Sequence, residues 1–349
     1  MLEIKDKLLK DITFIDLFAG LGGFRLSLES FGAKCVYSND WDKAVQKIYE
    51  SNFGSITKED ITKINEEIIP YHDILCAGFP CQPFSISGKK QGFKDTRGTL
   101  FFDVVRIVRA KQPKVVFMEN VKNFASHDNG RTLNIVKKTM VDSGYTFFSK
   151  VLNAVDFGIP QKRERIYMVC FRKDLNISDF KYPEPFKLEK HLEDFLLKNE
   201  ALTKELYVKR DDTIFNTKED NKYDNKPIRL GIVNKGGQGE RIYSTKGIAI
   251  TLSAYGGGVF SKTGGYLING KTRKLHPREC ARLMGFPDSY KISENKNQAY
   301  KQLGNSVVVD VLQLITYQIA LSLIQVNKTV IPDTGLVQTS TNHLLSASV

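Results

Sequence analysis

The sequence predicts an α/β protein: a doubly wound, mostly parallel sheet joined to a second, smaller, β-rich domain. Three observations predict it. Short apolar runs alternate with helix-like segments from Thr13 to Phe171, the chemically distinctive residues follow the runs, and a basic, glycine-rich stretch occupies Lys226 to Arg278. At 349 residues the chain has room for one large domain and a smaller one.

Five runs have strand character: T-F-I-D-L-F from Thr13, K-C-V-Y-S from Lys34, D-I-L-C-A from Asp73, K-V-V-F-M from Lys114 and R-I-Y-M-V-C-F from Arg165. Between them, F-R-L-S-L-E-S and L-F-F-D-V-V-R-I-V-R-A have helical spacing. F-S-K-V-L-N-A-V is a sixth strand candidate, and D-F-G-I-P-Q after it reads as a turn. The two strands around that turn form a hairpin, so the last strand runs antiparallel and returns Arg163 and Arg165 to the rim where the other runs end. Asn176 to Asn225 reads as a linker with weak helical spacing, and Gln325 to Val349 as a mobile polar tail.

Ligands of open parallel sheets bind outside the carboxyl ends of the strands. That rim carries, in order, A-G-L-G-G, N-D-W, G-F-P-C and E-N-V. Free cysteines are usually small buried hydrophobes, and Cys35, Cys76 and Cys170 lie inside apolar runs that fit this. Cys81 differs, because G-F-P-C-Q-P-F flanks it with prolines and a glutamine at a strand end, where it is a candidate nucleophile.

Composition is ordinary for a soluble globular protein, with 41% hydrophobic and 26% charged residues. Five cysteines without paired spacing argue against a disulfide framework and a zinc site, so no metal is expected. Nothing at the N-terminus resembles a signal peptide and no apolar stretch is expected to span a bilayer, which makes the cytoplasm the default compartment. The net charge of +12 points to a polyanionic partner. Lys226 to Arg278 concentrates it: ten Lys or Arg, one acid (Glu240) and eleven of the 26 glycines. Lys235 and Lys246 are candidates there for phosphate contacts.

D-L-F-A-G-L-G-G-F, G-F-P-C-Q-P-F-S, E-N-V, Q-K-R-E-R, R-E-C-A-R-L-M-G-F-P and Q-L-G-N-S-V follow one another along the chain. In kind, order and spacing they resemble the motifs of bacterial DNA cytosine-5 methyltransferases of type II restriction-modification systems. The resemblance covers Thr13 to Phe171 and Arg229 to Ile324. It implies an S-adenosylmethionine-dependent fold divided into a catalytic and cofactor domain (1–190), a target-recognition domain (191–275) and a returning segment (276–324).

It also implies that S-adenosylmethionine meets Phe18, Gly20, Gly22, Gly23, Asp40, Trp41, Asp60, Ile61, Leu100 and Asn305. The residues themselves suit a nucleoside: Asp40 can accept ribose hydroxyls and Trp41, the only tryptophan, can stack on a purine. The family more often carries Glu where this chain has Asp40, and the shorter carboxylate is expected to reach. Carbon 5 of cytosine must first be made nucleophilic by covalent addition at carbon 6, a task for the thiolate of Cys81. Glu119 is expected at ring N3 and Arg165 at the cytosine O2, with Arg163 supporting them.

Attack from above the ring requires the cytosine to leave the stack. By the resemblance, Gln238 and Ser87 fill the gap, Arg241 reads guanine, and Ser85, Thr251 and Tyr255 are further DNA contacts. Ile86 to Gly98 suits a lid. The expected partners are double-stranded DNA, with GCGC as the suggested site, and a restriction endonuclease of the same specificity acting beside a monomeric enzyme. The rivals are an RNA cytosine-5 methyltransferase on the same scaffold and a DNA-binding protein that has lost catalysis. A nucleotide-linked oxidoreductase fails for want of its pyrophosphate loop.

Overall fold

The computed structural model describes residues 4, 6–79, 100–216 and 222–330, with side chains through Val326. Cys81, Ser85, Ser87 and the expected lid Ile86 to Gly98 lie outside the described residues, as does the tail beyond 330.

The apolar runs become β1 (Thr13–Leu17), β2 (Lys34–Asn39), β3 (Ile74–Ala77), β4 (Val115–Val121), β5 (Tyr145–Asn153) and β6 (Glu164–Arg172). They form one sheet in the order β2-β1-β3-β4-β6-β5. β1, β2, β3 and β4 run parallel, whereas β6 is antiparallel to both β4 and β5, as the hairpin reading requires. The helices are α1 (Gly23–Ser30), α2 (Lys43–Phe53), α3 (Leu100–Lys111), α4 (Asn123–Ser126), α5 (Arg131–Asp142), α6 (Pro277–Arg282), α7 (Lys296–Asn305) and α8 (Val309–Val330). α2, absent from the sequence reading, is launched by Asp42, whose carboxylate accepts from Ala44 N and Val45 N.

Strand alternation sends side chains to two buried layers. Phe101, Val104 and Val108 of α3 and Met140 of α5 cover Ile15, Leu75, Val116 and Met168 on one face. On the other face, Phe14, Cys76, Phe117 and Tyr167 pack with Leu28 of α1 and Leu312, Ile315 and Ile319 of α8.

A second sheet contains β7 (Ile214–Phe215), β8 (Arg229–Ile232), β9 (Arg241–Ser244), β10 (Gly265–Ile268) and β11 (Lys271–Lys274), in the order β11-β10-β9-β8-β7. Its own cluster is small: Val233, Ile242 and Phe260. Tyr243, Ala249, Leu252 and Tyr266 instead join the core that holds Phe117 and Tyr167, so apolar packing is continuous from one sheet to the other.

Three expectations change. The described part of Asn176 to Asn225 contains short 3-10 turns and β7 rather than α-helix, and Phe180 and Tyr182 pack into the main core. α8 continues past Gln325, so the polar stretch begins as helix and not as tail. Lys296–Val326 contains an 18-residue window with a mean hydropathy of 1.9, long and apolar enough by composition to cross a membrane, contrary to the sequence reading. Two thirds of that window, 67%, is buried inside the protein, as the core position of α8 explains.

Candidate active site at the sheet rim

The chain leaves β1 in left-handed geometry, with φ of +55° at Phe18 and Gly20 and +69° at Gly22, which precedes α1. A Cβ on Gly22 would lie 2.4 Å from the Phe53 ring, and one on Gly23 would lie 2.5 Å from Val307 Cγ2. Close packing therefore dictates glycine at 22 and 23. At Gly20 the nearest neighbour of a Cβ would be Phe18 O at 3.8 Å, leaving this part of the turn open.

Gly20 N donates to Asp40 Oδ2 at 3.0 Å, and Asp42 N donates to Asp40 Oδ1 at 2.9 Å. Burial raises the Asp40 pKa, while these backbone hydrogen bonds oppose the rise. Each oxygen retains an acceptor position. Trp41, next along the rim, is 73% exposed. Asn39 Nδ2 donates to Thr57 O and Glu59 O, fixing the segment that leads to Asp60. Asp60 caps a 3-10 turn through Thr62 N at 3.1 Å. Ile61 is buried and its carbonyl accepts from Arg106 of α3 at 2.9 Å. Leu100 begins α3 and exposed Asn305 ends α7.

At the end of β4, Glu119 is buried and its Oε1 stands 3.1 Å from Arg165 Nε. Burial raises the Glu119 pKa against the pull of Arg165 and Arg163. The adjacent Asn120 donates from Nδ2 to Phe79 O at 2.9 Å, anchoring the chain two residues before Cys81. In E-N-V the acid carries the chemical signal, and the role of the amide depends on Phe79, 41 residues away.

Arg163 is 2% exposed, and its guanidinium donates to the carbonyls of Leu252 (3.0 Å), Gly304 (2.9 Å) and Ser306. Burial and the Arg165 charge lower its pKa to about 9, which still leaves a cation at neutral pH. It joins the β6 end of the rim to the two residues flanking Asn305 and to the loop after β9. Gln161 adds to the joint, donating to Leu283 O at 2.9 Å and accepting from Leu252 N at 3.3 Å. Its only signal in the sequence is its place at the head of Q-K-R-E-R.

On the second sheet, Gln238 is exposed and Arg241 Nε donates to Gly236 O at 3.2 Å. Thr251 Oγ1 donates to Lys162 O, bringing that loop to the rim, and Tyr255 is 71% exposed. A Cβ on Gly304 would meet Ala254 N and Ser253 C at 2.3 Å, so α7 and the loop touch backbone to backbone. Lys246 does not stand free for phosphate. Its Nζ pairs with Glu193 Oε2 at 2.9 Å and with Tyr223 OH at 3.1 Å, which raises its pKa.

The first cluster fits the methyl donor that the motifs imply. An open left-handed glycine, a carboxylate with spare acceptor positions and a bare indole face suit the ribose and purine of S-adenosylmethionine. Among the described residues there is no group of three or more His, Cys, Asp or Glu placed to hold a metal ion.

Comparison with known proteins gives the family and the fold. Residues 12–321 match the family model of C-5 cytosine-specific DNA methylases. The chain is 67% identical to the type II methyltransferase M.HhaI of Haemophilus parahaemolyticus over 323 residues, 93% of this chain and 98% of that one. It is 43% identical to M.HpaII of Haemophilus parainfluenzae, covering 89% of this chain and 90% of the relative. The crystal structure of S. pombe Dnmt2 methyltransferase, 20% identical, superposes with a TM-score of 0.66 over 90% of this chain and 99% of that one, which supports the fold. With that family model over residues 12–321 and 67% identity to a type II enzyme, the protein belongs to the C-5 cytosine-specific DNA methylase family and is an S-adenosylmethionine-dependent DNA methyltransferase.

Proposed function

We propose that the enzyme methylates the first cytosine of GCGC after the base has left the duplex, with Cys81, Glu119 and Arg165 acting on the ring and Arg163 holding their frame. The observation that carries this reading is the buried Glu119–Arg165 pair beside the Asn120 anchor of the chain leading to Cys81.

S-adenosylmethionine supplies the electrophilic methyl group when bound. The Cys81 thiolate forms a bond to carbon 6, and the displaced electron pair moves to carbon 5. Glu119, with its raised pKa, gives a proton or a hydrogen bond to ring N3 as charge develops there. Arg165 donates to the cytosine O2 and offsets the same charge. After carbon 5 is methylated, solvent takes its proton, any proton on N3 returns to Glu119, the C5–H electron pair closes the C5–C6 double bond, and the carbon–sulfur bond breaks to release the thiolate. Asp40 and Trp41 orient the donor through ribose and purine, with Phe18, Gly20, Asp60, Ile61, Leu100 and Asn305 lining the same edge and Gly22 and Gly23 shaping its turn.

Residues 191–275 form the target-recognition domain on this reading, between a catalytic domain (1–190) and its returning segment (276–324). Exposed Gln238 and Tyr255, the reach of Arg241, and Thr251 at the rim support that division. On this reading the enzyme acts as a monomer in the cytoplasm; its protection of DNA from an endonuclease of the same specificity is what the type II names of its relatives support.

Expression in a host without cytosine methylation, followed by base-resolved sequencing of plasmid and RNA, tests the assignment. Methylation at the first cytosine of GCGC is expected. Modification confined to RNA, or to another DNA site, overturns the substrate or the site respectively.

A further inference from the structure

The stretch G-F-P-D-S-Y after α6 takes no part in the chemistry at the rim, yet it reaches the turn after β1. Tyr290 is buried, and its hydroxyl donates to Leu21 O at 2.6 Å, 269 residues earlier in the chain. Leu21 stands between Gly20, whose N–H holds Asp40 Oδ2, and Gly22, whose Cα the Phe53 ring covers. The Tyr290 ring packs against Phe53 and Phe286, with centroids 6.1 and 4.7 Å away. Its main chain is fixed as well. Tyr290 N donates to Pro287 O at 2.9 Å, and Arg278 donates to Tyr290 O at 2.8 Å. Beside it, Asn52 of α2 donates from Nδ2 to Lys291 O at 2.9 Å and accepts from Lys291 N at 2.8 Å. Burial raises the Tyr290 pKa, so the phenol remains a donor.

We propose that Tyr290 is a positioning residue for the methyl donor: its hydroxyl fixes the Leu21 carbonyl, and with it the left-handed turn from which Gly20 N orients Asp40. The inference rests on the reading that Gly20, Asp40 and Trp41 cradle S-adenosylmethionine. Glycines at 20, 22 and 23 give that turn wide conformational freedom when nothing holds it. A ligand that must first order a loose turn binds more weakly than one that meets it already set. Tyr290 sets it from outside, because a phenol held by two rings and by its own main chain cannot follow the Leu21 carbonyl if the turn drifts. The hydrogen bond therefore keeps Gly20 N within reach of Asp40, and the carboxylate aimed at the ribose.

The test compares Tyr290→Phe with Tyr145→Phe in the full chain. Tyr145 is buried and its hydroxyl donates to Pro113 O at 2.8 Å, just before β4 and so at the end of the sheet opposite the rim. Each variant loses one buried hydrogen bond to a carbonyl, and both should lower the melting temperature. Only Tyr290→Phe should weaken S-adenosylmethionine, by about threefold to tenfold in calorimetry without DNA. S-adenosylhomocysteine should lose the same factor, because the cradle holds the nucleoside and not the methyl group. The KM for the donor should rise to match, while kcat at saturating donor stays within about twofold. Asn52→Ala, which frees the main chain beside Tyr290, should shift donor affinity in the same direction. Unchanged donor affinity in Tyr290→Phe overturns the proposal. Equal losses in the two phenylalanine variants overturn it too, since general destabilisation would then explain both, and so does a fall in kcat with KM unmoved. Trp41→Ala separates the premise: if it weakens the donor while Tyr290→Phe does not, the positioning role fails alone. If Trp41→Ala leaves donor binding intact, the cradle reading fails and the positioning role with it.

Discussion

Glu119 and Arg165 meet diagonally across the antiparallel β4–β6 pair, where Glu119 is registered with Tyr167 and Val121 with Arg165. Both side chains leave the same face of the sheet, 3.1 Å apart. Strand period alone puts Arg165 and Tyr167 on that face, so the hairpin determines the chemistry of the rim. Glu119→Gln should lower kcat by roughly 10² to 10⁴-fold, while S-adenosylmethionine affinity changes little. Because burial raises the Glu119 pKa, the parent's acid-dependent step should fade as pH rises through that raised value, and the variant should lose this limb of the profile. Steady-state kinetics across pH, paired with calorimetry, checks both. Normal turnover with lost cofactor affinity would remove Glu119 from catalysis.

Trp41 is 73% exposed, so truncating it removes little packing from the folded protein. Trp41→Ala should leave the melting temperature nearly unchanged and weaken S-adenosylmethionine binding by about 1–3 kcal/mol, the range for stacking of a base on an aromatic ring. Isothermal titration without DNA measures this directly. Unaltered affinity would contradict the stacking role.

Arg241 begins β9 with its Nε held to Gly236 O, which orders the guanidinium without neutralising it. A bidentate arginine on guanine is worth roughly 1–3 kcal/mol of discrimination. Arg241→Ala should narrow the affinity gap between GCGC and a duplex with one guanine replaced by that amount. Equal losses on both duplexes would indicate a backbone grip instead.

Arg273 and Glu279 form a buried bidentate pair, at 2.7 and 2.8 Å, between β11 and α6. Glu279 also accepts from Leu197 N and His276 N, so one carboxylate ties three segments at the base of the second sheet. Glu279→Ala should cost about 3–5 kcal/mol, because it strands a buried guanidinium and two amides. Replacing both partners by apolar residues should recover part of the loss. Denaturant titration of the single and double variants decides it, and a single-variant cost near zero would refute the tie.

Asp16 is fully buried on β1 opposite Cys76, and both its oxygens lack a hydrogen-bond partner. Burial raises its pKa well above 3.8, with Arg25 pulling the other way. A carboxyl group whose folded pKa is raised keeps its full stability below the unfolded value and loses it as pH climbs to the folded one. Over that window the parent should lose about 1.4 kcal/mol per pH unit from this group. Asp16→Asn should therefore gain on the parent as pH rises from near 3.8, seen as diverging melting temperatures. Parallel curves would show that Asp16 is ionised in the fold.

The sequence by itself determined the strands, the antiparallel turn at β5–β6 and the rim that collects A-G-L-G-G, N-D-W and E-N-V. These follow from local alternation, which is written in neighbouring residues and fixes which face each side chain takes. Tertiary structure decided what period cannot express. Arg163 became a buried joint because carbonyls 89 to 143 residues away close around it, and Lys246 lost its freedom to Glu193, 53 residues distant. The stretch after Asn176 reads as a linker because its apolar residues, Phe180 and Tyr182 among them, have only weak helical spacing. They are ordered by packing against Phe171 and Tyr167, partners that exist only once the sheet has formed.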